Sequence, residues 1–167
     1  MATNEQRSSE AGGVSLRSSI VMSMCVMVVA AVVLTAGPLF ARSSSGVKVP
    51  AGTNRVNVSL FEFGIKIDPS TPVRPGKNAF VITDNGKIPH ELVGFATTSR
   101  ATAMPTRTDG DVNEDSPQLK SVLDTGAALK PGQTRVIVTT LDAGTHYAFV
   151  CNLPGHWRLG MRVDVTP

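Results

Sequence analysis

Cys151, His156 and Met161 stand at the spacing Cys-x4-His-x4-Met in a chain of 167 residues that has two cysteines and three histidines. A thiolate, an imidazole and a thioether are metal ligands of different softness. Between them, Leu153-Pro154-Gly155-His156 puts Pro and Gly at the two central positions of a type II turn. Such a turn reverses the chain and returns the His156 ring toward the Cys151 sulfur. Met161 then opens the last strand on its inward face, so one loop between two strands presents three ligands to one point. His90 is the candidate for a fourth, because it follows the stiff Pro89 and opens the apolar run Leu92–Phe95. His146 competes with it. Strand alternation puts Tyr147, Phe149 and Cys151 on one face and turns His146 away, which reads as a surface histidine.

A His₂Cys set with a weak axial Met is the ligand set of electron-transfer copper. Thiolate and thioether suit Cu(I), and imidazole suits both oxidation states. Zinc gains little from a thioether. A dinuclear copper centre needs a second nearby cysteine, and Cys25 lies far away in an apolar N-terminal run. The competing explanation is a coincidence of buried structural Cys, surface His and core Met.

The elements that position these residues are mostly strands. Residues 1–19 are polar and unpatterned and are expected to be a disordered leader. Residues 20–41 carry no charge and are long enough to span a bilayer, so they are expected to be a signal peptide or a transmembrane anchor, an N-terminal hydrophobic helix in either case. Residues 42–54 form a linker, and 55–167 form the folded domain. Val56, Val58 and Leu60 alternate on one face. Phe61, Phe63, Ile65 and Ile67 alternate in the opposite phase, which predicts a bulge or bend. Pro75-Gly76 and Asn85-Gly86 bracket a strand at Ala79–Thr83, and further strands are expected at Thr134–Leu141, Thr145–Cys151 and Met161–Val165. Residues 97–117 are polar and acidic and read as a surface excursion. Seven or eight short strands at this spacing predict an all-β Greek-key sandwich.

Gly and Pro, 15 and 11 in number, favour a turn-rich β domain, and the net charge of +3 is spread singly along the chain. With no basic cluster, nucleic acid is not an expected partner. Multicopper oxidases bring paired His-x-His motifs, which this chain does not have. Four protein ligands would also close the metal to substrate, so an enzyme is not expected.

From Val56 to Val165 the sequence resembles the cupredoxins, the blue copper proteins that include plastocyanin, azurin and rusticyanin. The resemblance rests on Asn85-Gly86 before Pro89-His90-Glu91-Leu92, on Leu129-Lys130-Pro131-Gly132, and on the ligand loop, whose spacing is most similar to that of rusticyanin. It implies one type 1 copper, cycling between Cu(I) and Cu(II), held by His90, Cys151, His156 and Met161. It also implies a monomeric carrier of single electrons between redox protein donors and acceptors outside the cytoplasm, in the periplasm or on the outer face of the cell membrane. The alternatives are a copper oxidase or reductase component and a copper storage or delivery protein. Glu91 departs from the pattern, standing where plastocyanin and azurin have an Asn that braces the site, and Val150 replaces an aromatic residue. Trp157 follows His156 and is placed either to shape the surface around that ring or to pack at the rim.

If residues 20–41 anchor the chain, cell fractionation will leave it in membranes, released by detergent and not by salt, with the domain open to external protease. A soluble product beginning near Arg42 would identify a cleaved signal, and a cytoplasmic pool would contradict both.

Overall fold

Val56, Val58 and Leu60 point inward because a strand presents alternate residues to one face, and all three are buried. They belong to β1 (Asn54–Phe61), the first of eight strands in a computed structural model that describes residues 46–167. The leader, the hydrophobic segment and most of the linker lie outside the described residues. The others are β2 (Gly64–Ile67), β3 (Gly76–Asp84), β4 (Val93–Ala96), β5 (Lys120–Asp124), β6 (Thr134–Leu141), β7 (Tyr147–Val150) and β8 (Arg162–Val165). They form two four-stranded sheets, ordered β2-β1-β3-β6 and β5-β4-β7-β8. The fold is all-β, as the strand count and turn spacing predict.

The change of phase after Leu60 is a hairpin, not a bulge. β1 and β2 pair antiparallel with Phe61 opposite Gly64. A Cβ on Gly64 would stand 2.6 Å from the Phe61 ring, so a side chain there would have to push that ring aside. β1 also runs parallel to β3, which pairs antiparallel with β6. In the second sheet, β4 lies between β5 and β7, and β8 closes the far edge on β7.

The interior between the sheets is filled by Val56, Val58, Leu60, Phe80 and Ile82 from one side and Leu123, Tyr147, Phe149 and Val165 from the other. Phe80 and Phe149 meet edge to face at 5.5 Å, a favoured aromatic geometry. Cys151 and Met161 belong to the same cluster, so two of the chemically distinctive side chains sit at the end of the main core.

The 97–117 stretch runs over the surface, as expected, but it is packed down onto the domain. Ala101, Met104 and Val112 from it, with Leu119 just beyond, pack on Val93, Phe95, Ala148 and Val150. It therefore covers the outward face of the second sheet with a small core of its own. Its few apolar anchors are dispersed among Thr, Arg and Asp, and that composition conceals a packed segment. β7 is thus buried on both faces, with Tyr147 and Phe149 in the main core and Ala148 and Val150 in the second.

Gly94 on β4 makes room for Phe149: a Cβ there would lie 2.7 Å from the ring and 3.2 Å from the Leu123 side chain. Gly94→Val should destabilise the domain by about 1–3 kcal/mol through overpacking, read as a lower urea midpoint with an unchanged slope.

Candidate metal centre

The ligand loop is a backbone construction first. Gly155 has φ of +80°, and His156 N donates to Leu153 O at 2.9 Å, completing the turn expected from Pro154-Gly155. Met161 N donates to His156 O at 3.1 Å, and Cys151 N donates to Met161 O at 3.0 Å. These bonds tie the two ends of the loop together before any side chain is considered. Cys151 Sγ then lies 3.4 Å from His156 Nδ1.

His90 reaches the same place from the other strand pair. Its backbone exchanges two hydrogen bonds with Leu129, at 3.1 and 2.7 Å. The ring is fully buried and stands 5.2 Å from the His156 ring, nearly perpendicular to it. Neither ring nitrogen of His90 has a hydrogen-bond partner. Met161 is fully buried as well. His146 is elsewhere: Nδ1 is 2.8 Å from Thr97 O and Nε2 is 2.9 Å from Asp164 Oδ1, on the outward side of β7. Strand parity separates the two histidines as the alternation predicts.

Burial pushes the Cys151 thiol up to about 11, with backbone N–H groups of Glu91 and Leu153 working the other way and the Glu91 and Asp84 carboxylates adding to the rise. Burial also pushes His90 down, which favours the neutral imidazole that a metal requires. A thiolate at Cys151 therefore needs a positive charge beside it.

The chemical types of the four side chains, a thiol, two imidazoles and a thioether, suit such a cation. A sulfur and a nitrogen bound to one first-row ion at ordinary bond lengths are roughly 3.5 Å apart, close to the Cys151–His156 separation. Counting only His, Cys, Asp and Glu side chains, no three among the described residues are near enough to hold an ion. The remaining candidate donor, Met161, is a thioether. Copper fits this mixture of soft sulfur and imidazole better than zinc or a hard cation.

Two braces hold the ends of the site. Glu91 does what the missing Asn left open: its backbone N–H points at Cys151 Sγ at 3.5 Å, and its carboxylate accepts from Asn152 N at 3.0 Å. The segments carrying His90 and Cys151 are thus joined. Burial raises the Glu91 carboxyl, and the bond from Asn152 opposes that rise.

The second brace is the 97–117 segment. Asn152 accepts from Val112 N at 2.8 Å and donates to Val112 O at 3.0 Å, and it also reaches Glu114. Buried Asp111 accepts from Gly155 N at 3.0 Å. Trp157 donates from its indole to Ala101 O at 2.8 Å and packs on the second core. It is therefore an anchor of the ligand loop. Sequence reasoning missed this brace because its partners are 38 to 56 residues apart and are of ordinary polar type.

His156 is half-buried. Phe63 meets its ring edge-on at 5.5 Å. Phe61, Phe63, Ile88 and Leu159 are exposed apolar side chains, with Leu159 the most open.

No family model matches the chain. The copper-resistant cuproprotein CopI of Vibrio cholerae is 29% identical over 102 residues, 60% of this chain and 53% of that protein, so the match spans about half of the relative's length. Reduced auracyanin from the photosynthetic bacterium Roseiflexus castenholzii superposes with a TM-score of 0.51 at 19% identity, covering 68% of this chain and 96% of that one. Auracyanin B gives 0.44 at 23% identity, covering 72% and 91%. The likeness to the Roseiflexus protein shows the cupredoxin fold.

Asn152→Ala strips both backbone groups of Val112 of their partner. The loss should lower stability by about 1–3 kcal/mol, measured by denaturant unfolding of the metal-free protein, and Asn152→Asp should not recover it, because its carboxylate would face Val112 O and Glu114 with no hydrogen to donate.

Proposed function

We propose that the domain binds one type 1 copper through His90, Cys151, His156 and Met161 and carries single electrons between redox proteins outside the cytoplasm. One observation carries this reading. A fully buried imidazole with both nitrogens unpartnered faces a cysteine–histidine pair at the separation a shared ion requires. Buried polar groups in folded proteins are ordinarily satisfied, so this gathering is best explained by a cation that completes it.

Bound copper would supply a one-electron couple between Cu(I) and Cu(II). The residues divide the remaining work. Cys151 supplies the thiolate, whose proton leaves on metal binding. His90 and His156 supply neutral imidazoles. Met161 supplies a weak donor from a packed apolar wall that excludes water. His156 alone of the four is not sealed in the core, and the exposed Phe63 against its ring suits brief contact with a partner protein. The four donors leave no open position for a substrate, which favours a carrier over an oxidase or reductase.

The likeness to a copper-resistant cuproprotein favours a second reading, in which the domain oxidises, holds or hands on copper. Burial of His90, Cys151 and Met161 speaks for electron transfer over delivery, because a donor of metal ions needs an accessible site.

Copper-loaded protein should contain one copper per chain and be intensely blue or green. Cys151→Ser and His90→Ala should abolish that colour, and His146→Ala should keep it. Met161→Leu should retain the colour and raise the reduction potential, and Met161→Gln should lower it. Stoichiometric copper without colour would refute the type 1 assignment. Unaided catalytic turnover of oxygen or nitrite would refute the carrier.

A further inference from the structure

Three polar atoms converge on Gly86 in the turn that leads to His90. A Cβ built there would lie 2.9 Å from Glu62 Oε1, 2.9 Å from His90 Nε2 and 3.1 Å from Asp84 Oδ1. Only a residue without a side chain allows this approach. The three groups are not equivalent. Glu62 is exposed, and its carboxylate is engaged by the backbone N–H groups of Lys87 and Ile88. Asp84 and His90 are both fully buried. Asp84 Oδ1 accepts from Gly86 N at 2.9 Å, but Asp84 Oδ2 has no partner, and neither has His90 Nε2.

A buried acceptor and a buried ring nitrogen that border the same glycine are complementary. When one nitrogen of an imidazole binds a metal, the other carries the proton and needs an acceptor, and that acceptor fixes the ring's orientation. His90 turns Nε2 toward Gly86, which assigns Nδ1 to the metal.

We propose that Asp84 is the positioning residue for His90, accepting the Nε2 proton across Gly86, directly or through one bridging water. The inference rests on the copper reading above. Asp84 is itself held in place: at the end of β3 its backbone N donates to Gln133 O at 3.0 Å, and its carbonyl accepts from Gly132 N at 2.7 Å. A carboxylate acceptor makes the imidazole a stronger donor, and a stronger donor favours the more highly charged, oxidised ion. The residue would therefore tune the potential without touching the metal.

The test is the reduction potential of the copper-loaded, detergent-solubilised full chain as wild type, Asp84→Asn, Asp84→Glu and Glu62→Gln. Asp84→Asn keeps the shape and removes the charge. It should favour the reduced form about tenfold, a rise of 59 mV for a one-electron couple, with the visible band kept. Asp84→Glu should return toward wild type, and Glu62→Gln should move the potential much less. A potential unchanged in Asp84→Asn, in a protein that is still blue, overturns the inference and leaves the copper reading standing. A wild type with no blue centre overturns both. Should Asp84→Asn fail to fold, nitrogen-15 NMR of the reduced wild type decides. A His90 Nε2 proton protected from exchange and hydrogen-bonded to a carboxylate supports the inference, and a bare or rapidly exchanging Nε2 refutes it.

Discussion

The sandwich closes over a thiol, a thioether and an imidazole, and this burial governs the rest of the structure. Cys151 and His90 have no access to water, so neither can meet its polar requirements with solvent. A buried polar group left unsatisfied costs about 1–3 kcal/mol, so both nitrogens of the His90 ring call for a partner. The same burial holds the thiol protonated and the imidazole neutral when each is alone. The pocket is unfavourable for any of its members separately and suited to all of them around one positive charge. That complementarity also explains why the surrounding backbone is so fully bonded: the side chains cannot hold one another in place.

The stabilising work is divided between the two cores. The main core sets the spacing of the sheets and places Cys151 and Met161 at its end. The second core, under residues 97–117, holds the outer side of the ligand loop through Val112, Asp111 and Ala101. Glu91 joins the two ligand-bearing segments between them. A loop fastened at its ends, its turn and its outer flank has little freedom to reshape itself. Such a support suits an ion whose charge changes while its surroundings do not.

The strands, and the approach of His156 to Cys151 and to His90, were legible in the sequence for physical reasons that can be located. Alternation at Val56, Val58 and Leu60 reports a half-buried strand directly. Parity along Tyr147–Cys151 separates His90 from His146, because side-chain direction in a strand has a fixed period. The Pro154-Gly155 turn is legible because few residues tolerate its backbone. The hairpin at Glu62-Phe63 was hidden, since a change of phase does not distinguish a bulge from a reversal. The brace by residues 97–117 was hidden for another reason: Asn152, Asp111 and Glu114 are common surface residues, and only three-dimensional proximity gives them a task. The convergence at Gly86 is likewise invisible, because Asp84 ends β3 while Glu62 lies in the turn between β1 and β2.

The contacts that fasten the site join residues distant along the chain. Glu91 and Asn152 are 61 apart, Ala101 and Trp157 are 56 apart, and Ala101 and Asp164 are 63 apart. Contacts of such separation form only after the intervening loops have closed, and their abundance slows folding. Cys151, His156 and Met161 lie in the loop that joins β7 to β8, but His90 meets them only when β4 has paired with β7. An ion encountering the nascent chain would meet isolated, flexible donors, and selectivity would be acquired only as the sandwich closes.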